Sequence, residues 1–143
     1  MNGCGTVFRQ MLVREVGTAA DSGAIGAAAR RLCERWVEQA SSLIGEAGVA
    51  ALCARSLRQT EQLAGGPMPV DEAAAHHPPC ALVQRAVERQ DPAVAIETAA
   101  AVLAMASGLL ATLIGEALTW RLLRDAWPDD FAGAVVIVRN TPT

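Results

Sequence analysis

Apolar side chains recur at helical spacing along most of this chain. Val7, Phe8, Met11, Leu12 and Val16 fall at intervals of three and four, which predicts a short amphipathic helix ending at Gly17. Residues 17–26 carry several glycines and read as a loop, with Asp21 or Ser22 placed to cap the next helix. Leu32, Trp36, Ala40, Leu43, Ile44 and Ala47 then share one helical face, while Arg30, Arg31, Glu34, Glu38 and Gln39 lie opposite. Gly48 predicts a kink or turn, and residues 49–63 continue as a further helix with Leu52, Cys53 and Leu57 on its apolar side.

Ala64-Gly65-Gly66-Pro67-Met68-Pro69 is the strongest break in the chain, and a loop is expected from there to Pro79, holding at most a turn at residues 72–75. Cys80 to Gln90 patterns as a three-turn helix. Asp91-Pro92 restarts the chain, aspartate being a preferred cap and proline tolerated at the first helical position. The helix opening at Pro92 runs toward Leu113-Ile114 and is apolar nearly all round, so it should occupy the centre of the fold. Leu118, Trp120, Leu122, Leu123 and Trp127 extend the pattern until Pro128. The β-branched run Ala134 to Val138 favours extended structure, either as a docked tail or as a strand offered to a partner, and the last five residues should fray. The expected architecture is all-α: one bundle of five or six helices, with a short helix and loop at 1–26, the bundle proper at 27–128 and a tail at 129–143.

Within this pattern one word occurs twice. Leu43-Ile44-Gly45-Glu46-Ala47 returns seventy positions later as Leu113-Ile114-Gly115-Glu116-Ala117, and Leu52 pairs with Leu122 at the same offset. Two copies are fewer than a solenoid requires. A duplicated helical hairpin forming a pseudo-twofold bundle is the reading that gives the repeat a physical purpose. A mid-helix glycine costs about 1 kcal/mol against alanine, so Gly45 and Gly115 are expected at helix crossings, where backbones must approach closely. Glu46 and Glu116 fall at the edge of the apolar face as structural carboxylates, with Arg55, Arg58, Arg121 and Arg124 as candidate partners.

Composition narrows the function classes. At 143 residues the chain can bury a core without metal or disulfides. All twelve basic residues are arginine and alanine is abundant, a bias that fits a GC-rich bacterial genome and carries no binding specificity. A net charge of -3 argues against a dedicated nucleic-acid binder, which needs a basic surface. Cys4, Cys33, Cys53 and Cys80 follow no secretory pattern, so free thiols in a reducing cytoplasm are expected. Residues 98–115 are uncharged throughout, and eighteen residues is the lower limit for a membrane span. Their alanine and glycine content makes insertion weak, so a buried core helix is expected and no membrane partner.

Candidate chemistry is sparse. A carboxylate-bridged di-metal site needs histidine three positions after each glutamate, and those positions hold Val49 and Thr119. His76, His77 and Cys80 are the only cluster of good metal ligands, but no second ligand pair accompanies them and the other cysteines stand alone in sequence. A solvated loop is the simpler reading, and no metal or cofactor is expected. Gly23 to Gly26 before a helix lacks the preceding strand and the lysine of a phosphate loop. No catalytic residue is assigned.

Residues 41–59, with Ala47-Gly48-Val49 at the expected turn, resemble the helix-turn-helix of bacterial repressors. That resemblance implies a recognition helix presenting Arg55, Arg58 and Gln59 to DNA. Ile44 stands where a small residue is usual, and Leu118 replaces the turn glycine in the second half. The leading expectation is therefore a non-enzymatic cytoplasmic adaptor or regulatory module that works through protein contacts and self-associates as a homodimer. A DNA-binding regulator is the alternative, and a helical bundle holding a small ligand or an enzymatic pocket is the second.

Overall fold

The structure, a computed structural model, describes residues 3–17, 20–63 and 78–131. The loop expected from residue 64, the histidines of its far end and the β-branched run at 134–138 lie outside these residues. The chain is all-α, as its patterning predicts. Its helices are α1 (Cys4–Val16), α2 (Ser22–Leu63), α3 (Pro79–Glu88), α4 (Pro92–Ile114) and α5 (Glu116–Ala126), followed by a helical turn at 128–131.

Local sequence explains most boundaries. Gly17, at φ 78°, closes α1 with its N–H on the Val13 carbonyl. The Asp21 carboxylate accepts the Ala24 N–H at 2.8 Å, capping α2 at its first turn. The loop expected over 17–26 is therefore shorter, and Gly23 and Gly26 lie inside the helix. A Cβ on Gly26 would come within 2.6 Å of Glu88 Cγ and 3.1 Å of the Gln84 carbonyl. Close helix approach thus selects glycine at position 26, between α2 and α3.

Helix α2 is interrupted at Gly45, which sits at φ 82°, ψ 163°. The break comes three residues earlier than the kink expected at Gly48, which is helical and half-buried. A matching break separates α4 from α5 at Gly115, at φ 90°, ψ 156°. Gly115 donates its N–H to the Ala111 carbonyl at 2.8 Å, and its own carbonyl accepts the Thr119 N–H at 3.2 Å. One residue thus closes one helix and opens the next, in a backbone region that only glycine enters without strain. The close approach expected at Gly45 and Gly115 is not found: both are exposed, and an added Cβ at either meets nothing within 4 Å. They are glycines because of φ, not because of a neighbour.

Helix direction is set by contacts. Ser22 donates its hydroxyl to the Gln90 carbonyl, Gly26 lies against Glu88, and Arg30 donates to Gln84 at 3.1 Å, so α3 runs antiparallel to α2. Helix α4 begins two residues after Gln90 and hence beside the start of α2. The two touch again at mid-length, where the Trp36 Nε1–H donates to Ser107 Oγ at 3.1 Å. Residues 22–44 and α4 therefore run side by side in the same direction, and the Gly45 and Gly115 breaks fall at one end of the bundle. In the other half α1 descends antiparallel along α4, with Gly5 against Ala104 and Arg9 Nε on Glu97 Oε1 at 2.5 Å. Helix α5 returns from Gly115 so that Arg35 Nε reaches the Ala126 carbonyl at 2.5 Å, and Phe8 stacks edge-on against Trp127 and Phe131.

The core repeats as the sequence does. Ile25, Ala28, Ala29, Leu32, Cys33, Trp36 and Ala40 are buried in α2, and the residues seventy positions on, Ala95, Thr98, Ala99, Val102, Leu103, Ala106 and Leu110, are all buried in α4. Beyond the breaks, Val49, Leu52, Cys53 and Ser56 match Thr119, Leu122, Leu123 and Ala126 in the same way. Helix α4 is central as expected, packing on α1, α2, α3 and α5. Gly108, inside it, has open space where a Cβ would stand. Gly108→Ala should raise stability by about 1 kcal/mol through the lower entropy cost of alanine in a helix, read as a higher urea midpoint.

Candidate interaction surface

The end of the bundle that carries the two breaks is its least covered apolar region. Leu43 is 45% exposed, Leu113 64% and Leu118 39%, and Ala47 and Ala117 are exposed beside them. Leu43 and Leu113 occupy the same place in the repeated word, each two residues before its glycine. Sequence spacing puts Leu43 on the buried face with Trp36 and Ala40, and Ala47 one turn further. In the structure the helix ends at Gly45, so Ala47 leaves that face and Leu43 stands past the last layer of packing. Ile44 and Ile114 remain half-buried beneath it.

Glu46 and Glu116 are the first residues after the two breaks, and both are exposed. The arginine partnerships expected for them do not form among the described residues. Their position supplies another reason for a carboxylate: unpaired N–H groups at a helix start favour negative charge. Each apolar patch is thereby edged by an acid. Neither this edge nor the exposed leucines could be recovered from helical periodicity, because periodicity does not reveal where a glycine ends the helix.

The remaining candidate residues do not assemble into a site. His76 and His77 lie outside the described residues, while Cys80 is buried at the start of α3. Among the described residues no group of three histidine, cysteine or acidic side chains is arranged to hold a metal ion. Arg55 and Arg58 are exposed on the 46–63 arm, and Gln59 is half-buried. The helix-turn-helix reading needs a turn at Gly48, and Gly48 lies within continuous helix; the only break in 41–59 is the single residue Gly45. Helix α4 is long and apolar enough to cross a membrane, with half of its most apolar window buried inside the bundle.

The four thiols, which stand apart in sequence, do not all stand apart in space. The neighbouring Cys53 and Cys80 thiols, together with burial, push the Cys33 thiol well above its ordinary range. Cys4 is separate, near Ser107, and burial pushes its thiol up to about 11. No family model, curated protein or solved structure matches the chain.

Proposed function

We propose that this protein is a helical contact module of the bacterial cytoplasm, an adaptor or regulatory element that self-associates through the end of its bundle carrying the Gly45 and Gly115 breaks. One observation carries the reading. Of the five large apolar residues exposed among the described residues, Leu43, Leu113 and Leu118 all lie within three positions of a break. Exposed large apolar side chains gathered near one structural feature mark contact sites more often than isolated ones do. The repeat supports it further: a duplicated hairpin with pseudo-twofold symmetry sets two equivalent leucines side by side, which suits a symmetric partner.

Sedimentation or light scattering across a concentration series tests this. The natural chain is expected to associate with rising concentration, and Leu43→Asp combined with Leu113→Asp to weaken association at least about tenfold, the effect of losing roughly 1.4 kcal/mol of contact. Both substitutions are at exposed positions, so the fold should survive, as circular dichroism would show. A natural chain that stays monomeric throughout, or a double variant that associates as well as its parent, contradicts the proposal.

A further inference from the structure

Two of the exposed large apolar residues stand away from the breaks: Val13 at 37% and Val94 at 44%. They belong to one patch across two helices. Helix α1 runs antiparallel along α4, with Gly5 against Ala104 and Arg9 on Glu97. Val13 comes four residues after Arg9, and Val94 three before Glu97. One helical turn therefore carries both to the same side of the α1/α4 pair, at the end opposite the breaks. Pro92 and Ala93 are exposed beside Val94, so the first turn of α4 is apolar throughout.

The described chain leaves the bundle next to this patch. Asp130 meets Arg14, the residue after Val13, at 2.6 Å, with only 14% of its side chain exposed. Phe131 is buried against Phe8. Residues 132–143 follow, and they contain Ala134-Val135-Val136-Ile137-Val138-Arg139. Five consecutive apolar residues leave neither face of an extended segment suited to water, so the run needs cover. Reach decides which patch supplies it. At 3.3–3.6 Å per residue, Ala134 stands at most about 10 Å from Phe131, and Val138 at most about 25 Å. A helix is about 10–12 Å across, so the residues before the run suffice to cross α1. Leu113 lies nineteen residues along α4 from Val94, about 28 Å at 1.5 Å per residue, and is too remote for the run to cover.

We propose that the α1/α4 face at Val13 and Val94 is a docking surface for an extended, β-branched segment, and that residues 134–138 of the same chain occupy it. Valine and isoleucine favour the extended backbone, and their side chains remove the two exposed valines from water. Charge fixes the direction. Arg139, next after the run, arrives where Asp91 opens α4, one turn before Val94. The Asp91 carboxylate makes no cap hydrogen bond at that helix start, which leaves its oxygens for the guanidinium. This docking is independent of self-association at the breaks, which lie at the other end of the bundle.

The test is the distance between spin labels at Ala101→Cys, exposed on α4, and Thr141→Cys, in the full chain with its four natural cysteines replaced by alanine. Asp91 and Ala101 are ten residues apart, about 15 Å along the helix, so docking predicts one narrow separation of about 15–25 Å with the labels' reach included. Val13→Ser with Val94→Ser should abolish the narrow peak, and so should Val136→Ser with Ile137→Ser. The first pair is at exposed positions and the second leaves residues up to 131 unchanged, so the helices should survive both, as circular dichroism would show. A broad distribution in the parent chain, or a narrow one that persists through either pair of substitutions, overturns the proposal. A peak that vanishes when the labelled chain is diluted into excess unlabelled chain overturns it too, because the segment would then sit on a second copy.

Discussion

Trp36→Ala is expected to destabilise the protein by about 3–5 kcal/mol, the range for removing a large aromatic side chain from a packed core. Trp36 is fully buried in α2, and its indole N–H reaches Ser107 on α4 at the level where the two long helices touch. Alanine would leave a cavity between the elements on which the rest of the bundle is mounted. Domains of this size have only about 5–15 kcal/mol of stability in total, so the variant should unfold at much lower urea concentration. Trp36→Phe should cost less, because it keeps a ring in the site. Ser107 Oγ retains its hydrogen bond to the Leu103 carbonyl at 2.9 Å and is not left unpaired. Far-ultraviolet circular dichroism is the appropriate readout, since the chain holds three tryptophans. Equal losses from alanine and phenylalanine would show that the hydrogen bond, not packing volume, dominates at this position.

Gly45→Val and Gly115→Val should each cost about 2–3 kcal/mol, from forcing a β-branched residue into a backbone region that is essentially confined to glycine. Space is not the difficulty, because a Cβ at either position meets nothing within 4 Å. The cost is purely conformational and should be similar at the two sites. Gly48→Ala is the internal control. Gly48 is helical and its added Cβ would touch only the Ile44 side chain at 3.4 Å, so the change should be neutral or stabilising by up to about 1 kcal/mol. Urea titrations of the four proteins decide the matter. A costly Gly48→Ala beside a harmless Gly45→Val would move the break back to the position that sequence spacing suggests.

The contrast between Gly45 and Gly48 shows where sequence reading succeeds and where it stops. Periodicity and local caps identify α1, a cap at Asp21 or Ser22, the restart at Pro92 and the central place of α4, because each depends on local spacing or a local cap. The repeated word is visible as well, but its meaning is not. A glycine within an apolar helical pattern can serve close packing, a kink or a positive φ, and these uses look alike in sequence. Here close packing falls to Gly26, whose neighbours Gln84 and Glu88 are some sixty residues away. Positive φ falls to Gly45 and Gly115. The exposure of Leu43 depends on that assignment, and so is equally hidden.

Convergence of the cysteines is out of reach for a related reason. Cys33, Cys53 and Cys80 share no motif spacing, and only the return of α2 on itself and the antiparallel docking of α3 bring them together.

The central claim is that two copies of one helix-break-helix unit stand side by side in the same direction, with both breaks at one end. Distance measurement between spin labels at Leu43→Cys and Leu113→Cys, in a background with the four natural cysteines replaced by alanine, tests it most directly. A 23-residue helix is about 35 Å long at 1.5 Å per residue, and packed helix axes lie about 8–10 Å apart. Parallel long helices predict a label separation of roughly 10–20 Å, allowing for the labels' own reach. A separation of about 30 Å or more would place the breaks at opposite ends and contradict the account.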